Sequence, residues 1–228
     1  MTTATDLYAL NLAEATSLVR HSGDTTVLVQ GHMGTGKSSM LKILAQELPD
    51  HIPCYFDCTT KDLGDITIPN VVNLTDSLTD SFVRYVTNEE LGVHLNKPII
   101  LMIDEYGKAN PAVKNALLRL MLERKIGSYT LHKDSIVFAT TNLGSEGVGD
   151  LLPAHARNRL TIITTRKPTN VEWIEDFAIN HGIDHTMIAW VADTPQLFAS
   201  FTDIRDPKEN LMIYQPADPS RVSFVTPR

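Results

Sequence analysis

The chain has 228 residues, 43% hydrophobic and 21% charged, which is ordinary for a soluble globular protein and excludes a largely disordered one. Lys and Arg number 20 against 27 Asp and Glu, a net charge of −7, so no global basic excess marks a broad nucleic-acid-binding face. Two cysteines, Cys54 and Cys58, are too few for a disulfide framework and read as structural thiols in a reducing, cytoplasmic setting.

The first twenty residues lack a basic leader and carry Asp6 and Glu14, so they do not read as a secretory signal. No apolar run approaches the ~18 residues of a membrane span. Residues 6–20 carry an imperfect apolar stripe, Leu7, Leu10, Leu12, Ala15 and Leu18, and predict a helix. Thr25 to Val29 predicts a short buried strand. A glycine-rich turn follows, and Met40, Leu41, Leu44 and Leu48 predict a helix over 37–47. Tyr55 to Cys58 is a second candidate strand, and residues 76–90 are expected to be helical. Ile99 to Ile103 is uniformly apolar, as a strand buried on both faces should be.

Asn110-Pro111 is a helix start, Asn as cap and Pro in the first turn. That helix carries Val113, Ala116, Leu117, Leu120 and Met121, and is expected to end through Arg124 and Lys125 at Gly127. Ser135–Thr140 and Leu160–Thr164 are the remaining strands. Strand alternating with helix implies an α/β fold, a parallel sheet with helices on both sides. Beyond Lys167-Pro168 the pattern changes to helices and loops, opened by a capping box at Thr169 and Glu172. Two units are expected, residues 1–167 and a smaller helical one over 168–228. Trp173 and Trp190 read as core of the latter.

Gly31-His32-Met33-Gly34-Thr35-Gly36-Lys37-Ser38 fits G-x-x-x-x-G-K-[ST], between a strand and a helix. Polyphosphate is dense negative charge. A glycine-rich loop lets backbone N–H groups wrap it, and the following helix turns its positive end toward it. Lys37 is placed for the β- and γ-phosphates, and the Ser38 hydroxyl for Mg²⁺. The apolar strand at 99–103 ends in Asp104-Glu105, at the edge where open parallel sheets bind ligands. Asp104 suits a hydrated metal, and Glu105 suits a general base for an attacking water.

At this point the chain resembles the AAA+ ATPases, and within them the MoxR-like branch. Gly31–Ser38 is similar to a Walker A motif and Ile99–Glu105 to a Walker B motif. Val137 to Asn142 resembles the sensor-one strand. Leu152 to Leu160 resembles the arginine-finger segment, Arg124 to Lys133 the pre-sensor hairpin, and Val171 to Phe201 the opening of the helical lid.

The resemblance implies a P-loop NTPase three-layer α/β/α sandwich with a helical lid, binding ATP and Mg²⁺ and hydrolysing ATP. Gly31, Gly34, Thr35, Gly36, Lys37 and Ser38 would hold the nucleotide, and Ser38 and Asp104 the metal. Glu105 would be the base and Asn142 would position the water. Arg159, or the neighbouring Arg157, would reach into an adjacent subunit's site. Val225 to Arg228 is similar to the sensor-two motif, which places Arg228 at the nucleotide. The chain stops there, so a truncated lid is expected.

The same resemblance implies a homo-oligomeric, hexameric ring acting on a protein client, with a von Willebrand A-type partner one possibility. Residues 62–69 and 127–133 fall where the family has pore-facing loops; plain surface turns read equally well. Two other functions stay open, an ATP-dependent assembly switch with little turnover and a DNA-associated AAA+ loader. Nucleic acid is disfavoured by the net charge of −7.

Overall fold

The computed structural model describes residues 9–73, 81–143, 158–201, 204, 206, 208–215 and 224–227. Helix α1 is Leu12–Arg20, shorter than the 6–20 expected. Asn11 starts it: its side chain accepts from Glu14 N, and the Glu14 carboxylate accepts from Asn11 N, both at 2.8 Å. Leu10 is instead extended, donating to Thr164 O and accepting from Arg166 N.

Five parallel strands form the centre: β1 (Val27–Gly31), β2 (Ile52–Asp57), and, further along the chain, Ile99–Asp104, Ile136–Asn142 and Thr161–Thr165. Between β2 and Ile99 lies a separate antiparallel ribbon, β3 (Thr67–Asn73) and β4 (Ser81–Thr87), in the register Thr67 to Thr87 through Asn73 to Ser81. This corrects the helix expected over 76–90. Phe82, Val83, Tyr85 and Val86 are β-formers, and Val71 and Val72 face Val83 and Phe82 across the ribbon. Residues 74–80 lie outside the described residues.

With β5 as Ile99–Asp104, β6 as Lys125–Ile126, β7 as Tyr129–Thr130, β8 as Ile136–Asn142 and β9 as Thr161–Thr165, the central sheet runs β2-β5-β8-β1-β9. Residues alternate between two cores along β5. Ile99, Leu101 and Ile103 pack with Val113, Leu117 and Leu120 of helix α3 (Pro111–Glu123). Ile100 and Met102 pack with Ala15 and Val19 of α1 and with Met40 and Leu44 of helix α2 (Met40–Glu47). Each face of the sheet thus carries its own helix layer, which is the expected three-layer α/β/α sandwich.

Helix α3 starts at its expected cap, Asn110, whose side chain accepts from Val113 N at 2.9 Å. It ends earlier than Gly127. Arg124 takes the left-handed position at φ 56°, and its guanidinium holds the carbonyls of Gly23, Asp24 and Ser135 at 3.1, 3.2 and 3.3 Å. Those three bonds offset the backbone strain of a side-chain-bearing residue there. Gly127 instead turns the β6–β7 hairpin.

Past residue 168 the described residues hold no strand. Thr169 caps α4 (Asn170–Glu172), which runs into a wider π-helical stretch, Trp173–Ala178. Helix α5 (His185–Asp193) follows. Trp173 lies against Phe177 and Phe198, but Trp190 is 43% exposed, so it is not the core residue the sequence suggests.

Candidate active site

The ends of β1, β5 and β8 meet at one edge of the sheet, and the polar motifs meet there with them. The order β5-β8-β1 puts Asn142, at the end of β8, between the loop after β1 and the acidic pair after β5. Gly31 closes β1 against β9 so tightly that an added Cβ would sit 2.1 Å from Thr165 Oγ1. Gly36 has φ 88°, a conformation only glycine adopts cheaply, and Lys37 follows directly in a 3-10 turn leading into α2. The Thr35 hydroxyl braces the loop by donating to His32 O at 3.0 Å.

Lys37 is buried. Its ammonium donates to Gly31 O and His32 O at 2.8 Å and to Asn142 Oδ1 at 3.0 Å. Asn142 turns its other end to Glu105, Nδ2 lying 3.2 and 3.4 Å from the two carboxylate oxygens. Lys108 pairs with Glu105 at 3.1 Å. Glu105 itself has φ 53°, a strained setting for a residue with a side chain. Its N–H is anchored by Asp104 Oδ1 at 3.1 Å and Thr140 Oγ1 at 3.3 Å.

Asp104 is held on both oxygens. Oδ1 accepts from the Thr140 hydroxyl as well as from Glu105 N. Oδ2 accepts from the Tyr55 hydroxyl at 2.9 Å and from Ser38 Oγ at 3.4 Å. Burial first, then the bond to Asp104, raises the Tyr55 pKa, so its hydroxyl stays a donor. The Cys58 thiol is pushed up to about 12, by burial and then by Asp57, Asp104 and Glu105, which leaves it a neutral thiol near neutral pH.

Ser38 and Asp104 offer hard oxygen donors side by side, and among the described residues no three His, Cys, Asp or Glu side chains cluster to hold a metal unaided. That is the donor set of Mg²⁺, which is bound through one or two side chains and completed by phosphate oxygens and water.

The C-terminal part reaches the same loop. His32 Nε2 lies 3.1 Å from Ser200 Oγ, and its ring meets Phe201 edge-on. Thr226 lies over Gly34, where an added Cβ would approach Thr226 Cβ to 2.5 Å, and Trp173 Nε1 donates to Pro227 O at 2.8 Å.

Of the residues singled out in the sequence, Gly31, Gly34, Thr35, Gly36, Lys37, Ser38, Asp104, Glu105 and Asn142 share this edge. Arg159 does not. It is exposed and precedes β9, whose Thr161 pairs with Val27 and whose Thr165 pairs with Gly31. The strand's length, roughly 13 Å, therefore separates Arg159 from the loop edge in its own subunit. Arg157 and Arg228 lie outside the described residues. Sequence reasoning missed Tyr55, Thr140 and Lys108. Thr140 is two residues before Asn142 and shares its face of β8, a signal that period-two alternation carries. Lys108 is three residues beyond Glu105. Tyr55 has no local signal, because only the pairing of β2 with β5 brings it to Asp104.

The family model described as "ATPase family associated with various cellular activities (AAA)" matches residues 27–167. This chain belongs to that family, and its fold is that of a P-loop NTPase, with a small helical part after the parallel sheet. Membership implies nucleotide binding. No curated protein matches the sequence. Among solved structures, an inferred ATPase from Cytophaga hutchinsonii aligns at 16% identity and TM-score 0.52, over 78% of this chain and 53% of that one. A RuvB mutant from Thermotoga maritima aligns at 19% identity and TM-score 0.47, over 75% of this chain and 49% of that one. The first likeness is one of fold, and the chain spans about half the length of each structure.

Proposed function

We propose that this protein is a Mg²⁺-dependent ATPase of the MoxR-like branch that works as a ring of copies, hexameric, on a protein client. Residues 1–167 form its nucleotide-binding domain and 168–228 its lid. The observation that carries the reading is the single hydrogen-bonded array from Lys37 through Asn142 to Glu105, with Ser38 and Asp104 beside it.

Lys37 exchanges its loop carbonyls for β- and γ-phosphate oxygens when ATP binds. The backbone from Gly31 to Ser38, including Gly34, Thr35 and Gly36, surrounds the phosphates. Ser38 and Asp104 hold Mg²⁺, which neutralises phosphate charge and so favours attack on the γ-phosphorus. Glu105 accepts the proton of the attacking water, and Asn142 fixes that water by a hydrogen bond. Arg159, with Arg157 beside it in the sequence, stabilises charge developing on the γ-phosphate of a neighbouring copy. The location of Arg159 at the opposite edge of the sheet supports action between subunits. Arg228 completes the nucleotide site from the lid, a role suggested by the position of Thr226 over Gly34.

One observation favours a second reading, a nucleotide-dependent assembly switch with little turnover. Glu105 is already paired with Lys108 and Asn142, which restrains it as a base. ATP hydrolysis measured against protein concentration, with Mg²⁺, separates the two. A rate rising faster than linearly supports the ring ATPase. ATP binding with no turnover at any concentration selects the switch. For the client, a von Willebrand A-type partner is the first to test by co-purification. Among the described residues no helix is long and apolar enough to cross a membrane, which is compatible with the cytoplasmic setting we favour.

A further inference from the structure

Asp104 lies within hydrogen-bond distance of Ser38, and it accepts a hydrogen bond from a tyrosine on another strand. Tyr55 stands on β2 opposite Met102 of β5, so the two side chains leave the sheet on the same face, the one covered by α2. From there the Tyr55 hydroxyl reaches two residues along β5 and donates to Asp104 Oδ2 at 2.9 Å. The same oxygen faces Ser38 Oγ at the longer distance of 3.4 Å. The other oxygen is taken by the Thr140 hydroxyl and Glu105 N.

An ionised carboxylate has about four acceptor directions. Thr140 and Glu105 N use the two on Oδ1. Tyr55 uses one on Oδ2 and leaves the last pointing at Ser38, through its longest and weakest contact. Without the tyrosine, Oδ2 would keep only its 3.4 Å contact with Ser38, and the carboxylate would be freer to rotate that oxygen away.

We infer that Tyr55 is a positioning residue for the metal, orienting Asp104 so that one oxygen direction is kept for the Mg²⁺ hydration shell beside Ser38. This rests on the ATPase reading above. The Tyr55 hydroxyl gives its hydrogen bond to Asp104, and it acts through that carboxylate. Outer-shell partners of metal-binding groups typically change metal affinity about 10- to 100-fold when removed. The partial exposure of Tyr55 puts its effect at the lower end.

The test is Tyr55→Phe, which keeps the ring and removes only the hydroxyl, in the full-length protein. Two affinities are measured. One is for a fluorescent ATP analogue in EDTA, which reads the phosphate loop. The other is for Mn²⁺ in the presence of ADP, read from the paramagnetic resonance signal of the free ion. The expected result is Mn²⁺ binding weakened about tenfold, with metal-free nucleotide affinity unchanged within twofold. Unchanged Mn²⁺ affinity overturns the inference. So does a parallel loss of both affinities, which would make Tyr55 a general structural residue. Failure of the wild-type protein to bind nucleotide at all would instead sink the ATPase reading, so the two failures are told apart.

Discussion

Lys37 Nζ donates to Asn142 Oδ1 at 3.0 Å, joining the loop after β1 to the end of β8. The bond fixes which way the Asn142 amide faces. Its oxygen must meet the ammonium, so its Nδ2 is turned toward the acceptor-only carboxylate of Glu105. A phosphate-binding cation and a candidate base are thereby held by one side chain that is neither.

Truncating the two ends of that bond should have different effects. Lys37→Ala removes the cation and is expected to weaken ATP binding at least about tenfold, since a hydrogen bond to a charged group contributes about 1.5–3 kcal/mol. Asn142→Ala should leave binding within about twofold and slow turnover about 100-fold, in the range for a misplaced reacting group. Fluorescent-nucleotide titration and phosphate release, on both variants, check the split. Equal loss of binding in both would remove Asn142 from a role in the chemical step.

Glu105→Gln keeps the size and loses the basicity. Turnover should fall by about 100-fold or more while ATP stays bound. Single-turnover assays with isolated protein–ATP complexes measure this directly, and hydrolysis at the wild-type rate would withdraw Glu105 as the base.

Arg159→Ala should not alter ATP binding by one subunit, because the residue stands at the far edge of the sheet from the phosphate loop. It should reduce assembled turnover by about 1,000-fold if it acts across the subunit boundary. Mixing it with Glu105→Gln subunits then restores some activity, because intact halves of a site meet at some boundaries. Unchanged turnover in Arg159→Ala, with loss in Arg157→Ala, would move the role to Arg157.

Gly31→Ala tests packing rather than chemistry. Its Cβ would lie 2.1 Å from Thr165 Oγ1 and 2.8 Å from Thr165 O, so β1 and β9 must separate. Overpacking of this kind costs about 1–3 kcal/mol. For a chain of this length that lowers the melting temperature by roughly 5 °C, readable by thermal unfolding monitored by circular dichroism. An unchanged midpoint would mean that β9 shifts without cost.

Glu172 supplies a pH signature. Its carboxyl is drawn from its ordinary value of 4.5 down to about 2, chiefly by the hydrogen bonds from Arg166, whose guanidinium lies 2.5 Å away. A depressed folded-state pKa stabilises the protein above the unfolded value and loses that contribution as pH falls from 4.5 toward 2. The Arg166 side chain is 38% exposed, so solvent screening limits the pair to less than about 1 kcal/mol. Glu172→Gln should therefore be slightly less stable than wild type to urea at pH 7, and the difference should shrink by pH 3. A difference that grew on acidification would contradict the assignment.

Local patterns announced much of this molecule. The G-x-x-x-x-G-K-S loop, the apolar strand ending in Asp104-Glu105 and the Asn110 cap each consist of neighbours in sequence, where spacing and side-chain type decide the outcome. Register along 81–87 was less legible. Phe82, Val83, Tyr85 and Val86 favour a strand, but only the partner segment at 67–73 makes one, and without it the sequence reads as a helix over 76–90.

By itself the sequence determined the class of fold and the chemical groups at the site, because alternating apolar segments and a glycine loop are local statements about burial and phosphate geometry. Tertiary structure alone decided how those groups meet. The order β2-β5-β8-β1-β9 inserts Asn142 between Lys37 and Glu105, brings Tyr55 to Asp104 from 49 residues away, and sends Arg159 to the other edge. Those are consequences of strand order and register, which depend on long-range pairing that no short stretch of sequence encodes.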